Sequence, residues 1–157
     1  MVDTQALIIG FDALMSAATT AAVIVAARQL TMAKDQARTN FEDNLNQQYR
    51  EIAKAMPVEA LLGGKLSAEE QEKCLGAFYH YFDLSNEQAF LRKQDRIRPG
   101  TWDDWRAGIT QNLRKPSFSA AWHEITRRSS SFDDLRELVP AARELAFKGE
   151  ETQVLTS

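Results

Sequence analysis

The sequence predicts an all-α protein: an N-terminal transmembrane helix continuous with a long helix, followed by a small helical bundle. Three observations carry this. No segment sustains strand alternation, and no Asn-Gly or Asp-Gly pair marks a hairpin. Apolar residues recur instead at steps of three and four. Prolines, glycines and capping residues then cut the chain into helix-sized pieces.

The first helix begins in a segment almost without charge. All 19 Lys and Arg lie at or after Arg28, and the first 27 residues carry only Asp3 and Asp12. The 22 residues 6–27 are mostly apolar. As a helix they reach about 33 Å, against a hydrocarbon core of about 30 Å. Leu7, Ile8, Ile9, Phe11, Leu14, Val23, Ile24 and Val25 favour insertion by roughly 4 kcal/mol together. Asp12 costs about 2.5–3.5 kcal/mol at mid-depth, and Ser16, Thr19 and Thr20 add to that. The balance favours a transmembrane anchor only narrowly. A secretory signal peptide is an alternative, with Val25, Ala26 and Ala27 as a small-residue cleavage site, but it lacks the basic N-terminal region. A buried helix in a large core or oligomer is the third reading.

Within this segment Gly10, Ala13, Ala17 and Thr20 follow the spacing at which transmembrane helices approach closely. Asp12 and Ser16 lie beside them, and a carboxyl in hydrocarbon is expected to face a partner or water. These six residues are the candidate association face. Arg28, Lys34 and Arg38 follow the span and no cation precedes it, so the positive-inside rule puts the N-terminus outside and the bulk of the chain in the cytoplasm.

No Gly or Pro interrupts residues 11–56, so the span is expected to continue as one helix, about 75 Å long. Beyond Arg28 a stripe runs through Leu30, Ala33, Ala37, Phe41, Leu45, Tyr49, Ile52 and Met56. It is thin before Phe41. The expected organisation is a transmembrane segment over 1–27, a helical stalk over 28–40, a helical cytoplasmic domain over 41–147 and a disordered tail over 148–157. A coiled coil through the stalk is the oligomeric alternative.

Pro57 ends the long helix, residues 58–62 make a helical turn at most, and Gly63 and Gly64 form a loop. Ser67 and Glu70 form a capping box that opens a helix expected to reach about Asp95. Its inner face reads Leu75, Phe78, Tyr79, Phe82, Asn86, Ala89 and Phe90. After Pro99 and Gly100, Thr101 opens a helix with Trp102, Trp105, Ile109 and Leu113 inward. Lys115 and Pro116 break it, and Ser117 opens another with Phe118, Ala121, Trp122 and Ile125 inward. Ser131 opens the last helical stretch, which Pro140 kinks or ends. Residues 101–106 and 131–136 echo each other as hydroxyl, aromatic, two Asp, apolar and Arg; two helix starts with capping hydroxyls and dipole-matched carboxylates account for this.

The chemistry-bearing residues point to no reaction. One cysteine, Cys74, excludes a disulfide framework, and it reads as a packing residue without a basic neighbour to activate it. His80 has Asp83 and Glu87 on or near its helical face, too few ligands for a metal site without a second helix. A half-buried, hydrogen-bonded imidazole is the expectation there. No serine nucleophile elbow or phosphate loop is present. No cofactor is implied. The net charge of −3 argues against nucleic acid as a partner. Arg92, Lys93, Arg96 and Arg98 form the densest basic cluster, a candidate surface for anionic headgroups or a protein partner, or else cations complementing helix C-termini.

The strings Arg28-Gln-Leu, Phe41-Glu-Asp, Tyr49-Arg-Glu-Ile, Pro57-Val-Glu-Ala-Leu-Leu-Gly63, Asp83-Leu-Ser-Asn-Glu-Gln and Trp102-x-x-Trp105 resemble a group of small bacterial proteins with one N-terminal span and a helical cytoplasmic part. The resemblance covers nearly the whole chain. It implies a bacterial inner-membrane anchor and transfers no activity and no functional residue. The expected function is that of a membrane-anchored adaptor, regulator or accessory subunit, self-associating or binding a protein partner. A membrane effector that oligomerises and disturbs the bilayer is a second class, and a helical enzyme a third.

Overall fold

The computed structural model describes residues 4–139, with the side chains of residues 4–14, 16 and 17 outside the description. Every regular element among the described residues is an α-helix: α1 Thr4–Lys54, α2 Val58–Leu62, α3 Ala68–Lys73, α4 Leu75–Lys93, α5 Pro99–Arg114, α6 Pro116–Arg128 and α7 Asp133–Arg136. The chain divides into two compact units, Met1–Phe41 and Glu42–Ser157. The expected tail and Pro140 lie outside the described residues.

α1 runs unbroken for 51 residues, with Gly10 in its second turn and no Gly or Pro after it to interrupt it. Among the described residues no helix is long and apolar enough to cross a membrane. Of residues 6–27, the stretch 6–14 together with Ser16 and Ala17 has no described side chains. Residues 18–37 are exposed throughout, so Leu30, Ala33 and Ala37 meet no core in this chain.

The second unit is built around α4, which packs against α5, α6 and α7. Its core holds Phe78, Phe82, Phe118 and Leu135, all fully buried. The rings meet edge to face: Phe78 on Phe118 at 5.0 Å, Tyr81 on Phe118 at 5.1 Å and Phe82 on Trp122 at 5.1 Å. Such pairs add about 0.5–1.5 kcal/mol each beyond their burial. Leu45 of α1 is buried, as is Met56 in the turn between the end of α1 at Lys54 and Pro57. On α6 all four expected positions, Phe118, Ala121, Trp122 and Ile125, are buried.

Several local expectations are corrected. The helix that opens at Ser67 does not run through to Asp95. Its capping box forms, but α3 stops at Lys73 and the chain turns at Cys74 (φ −102°, ψ 8°) before α4 begins. The turn brings Cys74 itself and Leu66 into the core, while α3 buries nothing. On α4, Tyr79 and Phe90 are exposed, whereas Tyr81, Leu84, Ser85 and Gln88 are buried. A helix flanked on several sides buries more than one stripe, and a single-face pattern misplaces its edges. α4 closes in a Schellman turn, Arg96 N–H donating to Leu91 O, with Asp95 left-handed at φ 54°.

The hydroxyl-capping half of the account of the 101–106 and 131–136 echo also fails, although Asp133 and Asp134 do lie in the first turn of α7. α5 starts at Pro99 with Arg98 as its N-cap, so Thr101 lies inside the helix and donates to Glu42 Oε2 at 3.1 Å. α7 is entered through Phe132, left-handed at φ 74°, and Ser131 caps nothing. Burial of the Phe132 ring against Tyr79 and Trp122 offsets that backbone cost. Ser117 likewise sits after Pro116 rather than at the cap. Its buried hydroxyl donates to Gly64 O and accepts from Leu66 N–H, tying the loop after α2 to α6.

Candidate functional site

Of the candidate association face, Gly10, Asp12, Ala13, Ser16 and Ala17 have side chains outside the described residues; Thr20 is exposed. C-terminal to them, within the first unit, Val23, Ile24 and Val25 stand 63, 51 and 53% exposed. Three consecutive branched side chains point around more than half of the helix, so this is an apolar sleeve and not one stripe. Thr19 donates its hydroxyl to Met15 O at 2.9 Å, and Thr31 does the same to Ala27 O at 3.1 Å. A hydroxyl held by its own helix needs no outside partner, which lowers the cost of placing it in an apolar medium.

The basic cluster is dispersed by the fold. Lys93 meets Asp134 and Glu137 of the α7 region, each at 2.8 Å. These two carboxylates raise its pKa, chiefly through the hydrogen bond to Asp134. Arg92 reaches Asp95 and Ile97 O, each at 3.3 Å. Both cations sit in the last turn of α4, where they complement the dipole. Arg98 occupies the opposite situation, at the start of α5, where a cation is disfavoured. Glu42 compensates for it. This 5% exposed carboxylate accepts from Arg98 N–H at 2.7 Å, from Arg98 Nη1 at 2.8 Å and from Thr101 at 3.1 Å. It therefore caps α5 from α1. Arg96 is exposed.

Two of the clefts in the second unit border α1. One, of about 420 Å³, lies between α1 and α4 and is lined by Gln48, Glu51, His80, Asp83 and Glu87 among others. His80 is exposed there, not half-buried as expected. Among the described residues no group of three or more His, Cys, Asp or Glu has metal-holding geometry. Cys74 is buried, donates to Glu70 O at 2.9 Å, and has its pKa raised by desolvation, so its thiol is inert.

The second cleft, of about 220 Å³, lies between α1, α4 and α5. Its walls are Tyr49, Trp105, Leu84 and Ile109; its polar groups are Ser85, Gln88, Asn112 and Asp104. Trp105 is oriented by its indole N–H, which donates to Asn46 Oδ1 at 3.0 Å. Tyr81 accepts from Asn112 Nδ2 at 3.0 Å, and burial pushes its phenol well above the usual range. Asn112 Oδ1 in turn accepts from Lys115 Nζ at 2.8 Å. Two groups stand outside this network. Gln88 is 6% exposed, yet among the described residues its amide has no hydrogen-bond partner. Gly108 sits inside α5, where glycine costs about 1 kcal/mol against alanine, and a Cβ added there meets nothing within 4 Å. No close approach of protein backbone accounts for it.

Sequence reading missed Glu42, Gln88 and Gly108. The faint signals were a lone glycine between Trp105 and Ile109 and a glutamine between Leu84 and Leu91 on a helix rich in aromatics. No family model, no curated protein and no solved structure matches this chain.

Proposed function

We propose that the chain is a single-pass membrane-anchored interaction protein of the bacterial inner membrane. Residues 6–27 form the anchor, the N-terminus faces outward, and the helical domain acts in the cytoplasm as an adaptor, regulator or accessory subunit. The observation that carries this reading is the apolar sleeve around Val23, Ile24 and Val25, exposed on an uninterrupted helix whose next basic residue is Arg28. The second unit closes a core of its own. The sleeve extends a stretch that, counted with Leu7, Ile8, Ile9, Phe11 and Leu14, is long enough for the bilayer. The internally bonded hydroxyl of Thr19 supports it, since it removes part of the polar penalty.

Interaction, and not catalysis, follows from the chemistry on offer: an exposed histidine, an inert thiol and carboxylates spent on capping. The candidate association face Gly10, Asp12, Ala13, Ser16, Ala17 and Thr20 supplies the contact within the membrane, with a second copy or a partner helix. The test is alkaline extraction of membranes carrying the full-length chain. Wild type stays in the pellet, and the double substitution Leu14→Asp and Met15→Asp releases it, because two central carboxylates cost about 5–7 kcal/mol against a margin of roughly 1 kcal/mol. Release of the wild type by alkali overturns the reading.

A further inference from the structure

We propose that the cleft between α1, α4 and α5 is a binding site for a small monocyclic aromatic cation that carries a second hydrogen-bonding group. Three features of the cleft specify this class. Its volume of about 220 Å³ exceeds the roughly 150 Å³ of a cavity that takes benzene, leaving room for one ring and a short substituent. Three aromatic side chains, Tyr49, Tyr81 and Trp105, the last held by Asn46, line it, a setting that suits a flat ring or an attached ammonium. Its one charged lining group is the Asp104 carboxylate, and no cation lines it, so an anion is disfavoured. Among the described residues Asp104 has no ion pair.

The second hydrogen-bonding group is specified by Gln88. Gln88 is only 6% exposed, and the part it exposes lines the cleft, where water or an occupant can bond its amide. Its amide offers both a donor and an acceptor to an occupant of the cleft. Gly108 points the same way from the opposite helix. Its missing side chain leaves open space that the protein does not use. The site lies wholly within the second unit and does not depend on the membrane reading.

Tyramine is the probe, because it joins one ring, an ammonium and a hydroxyl. The full-length chain is titrated in buffer or lipid nanodiscs, whichever keeps it monodisperse, and the three tryptophan indole N–H resonances are followed. Trp105 is expected to shift saturably while Trp102 and Trp122 move little. 4-Hydroxyphenylacetate, with the charge reversed, is expected to bind at least tenfold more weakly, and phenethylamine, without the hydroxyl, about threefold more weakly. Gly108→Met fills the cleft from a helical position and is expected to abolish the shift with helix content retained. If Gly108→Met fails to fold, Asp104→Asn at the exposed rim serves instead and is expected to weaken tyramine about threefold or more while sparing phenolic anions. Absence of any tyramine shift, equal shifts of all three indoles, equal binding of the anion, or unchanged binding by the variants overturns the assignment.

Discussion

Glu42 shows how one residue can hold two distant parts of a chain. It is 56 residues from Arg98, and its carboxylate takes three hydrogen bonds at the start of α5. Glu42→Gln keeps the shape but removes the charge, and an amide nitrogen replaces one acceptor oxygen. Hydrogen bonds to charged groups contribute about 1.5–3 kcal/mol each, and Arg98 is partly solvated, so a loss of about 2 kcal/mol is expected. Thermal unfolding of the second unit should fall by several degrees, with α1 helicity preserved. An unchanged midpoint removes Glu42 as the clasp. At this scale the sequence was mute. A glutamate beside Phe41 and Asp43 reads as a solvated charge, because only the fold brings Arg98 to it.

At the scale of the element, α3 states its own start. Ser67 Oγ accepts from Glu70 N–H at 3.3 Å, and Glu70 Oε2 accepts from Ser67 N–H at 3.0 Å. The Ser67 hydroxyl also donates to the Glu70 carboxylate and holds its pKa below the usual carboxylate range. A carboxyl whose pKa is lower folded than unfolded stabilises the fold fully above the unfolded value. That contribution is lost as pH falls through the folded pKa. Glu70→Gln is therefore expected to be less stable than wild type at neutral pH, with the gap closing below about pH 4.5. Urea midpoints across that range check it; a gap independent of pH would show that the charge is irrelevant. Such capping was legible because both partners lie within four residues. The end of the same helix was not, since the turn at Cys74 is set by what Cys74 and Leu66 pack against.

At the scale of the whole molecule the chain has two units: one carries the exposed apolar residues Val23, Ile24 and Val25, and the other closes a core of its own. If the span associates through its small-residue face, single cysteines introduced in a Cys74→Ala background should crosslink more strongly at Ala17 than at Met15, about 160° away round the helix. Cys74 is small and buried, so its replacement by alanine is mild. Weak and equal crosslinking at both positions counts against a packed face. Asp12→Leu separates the two membrane classes: an adaptor stays anchored, whereas an effector loses its effect on the bilayer.

Local chemistry wrote much of this protein. The lack of strand alternation, the breaks at Pro57 and Pro116, the capping box and the buried face of α6 are all short-range matters, decided by backbone sterics and by residues within one or two turns. Everything that depends on partners far apart in sequence waited for the fold. The fold turned Thr101 and Ser117 from caps into tertiary donors, drew Arg92, Lys93 and Arg98 to separate carboxylates, and buried Gln88 beside an open Gly108. The reason is geometric. A helical period says which residues share a face, but not how many neighbours that helix has, and α4 touches α3, α5, α6 and α7.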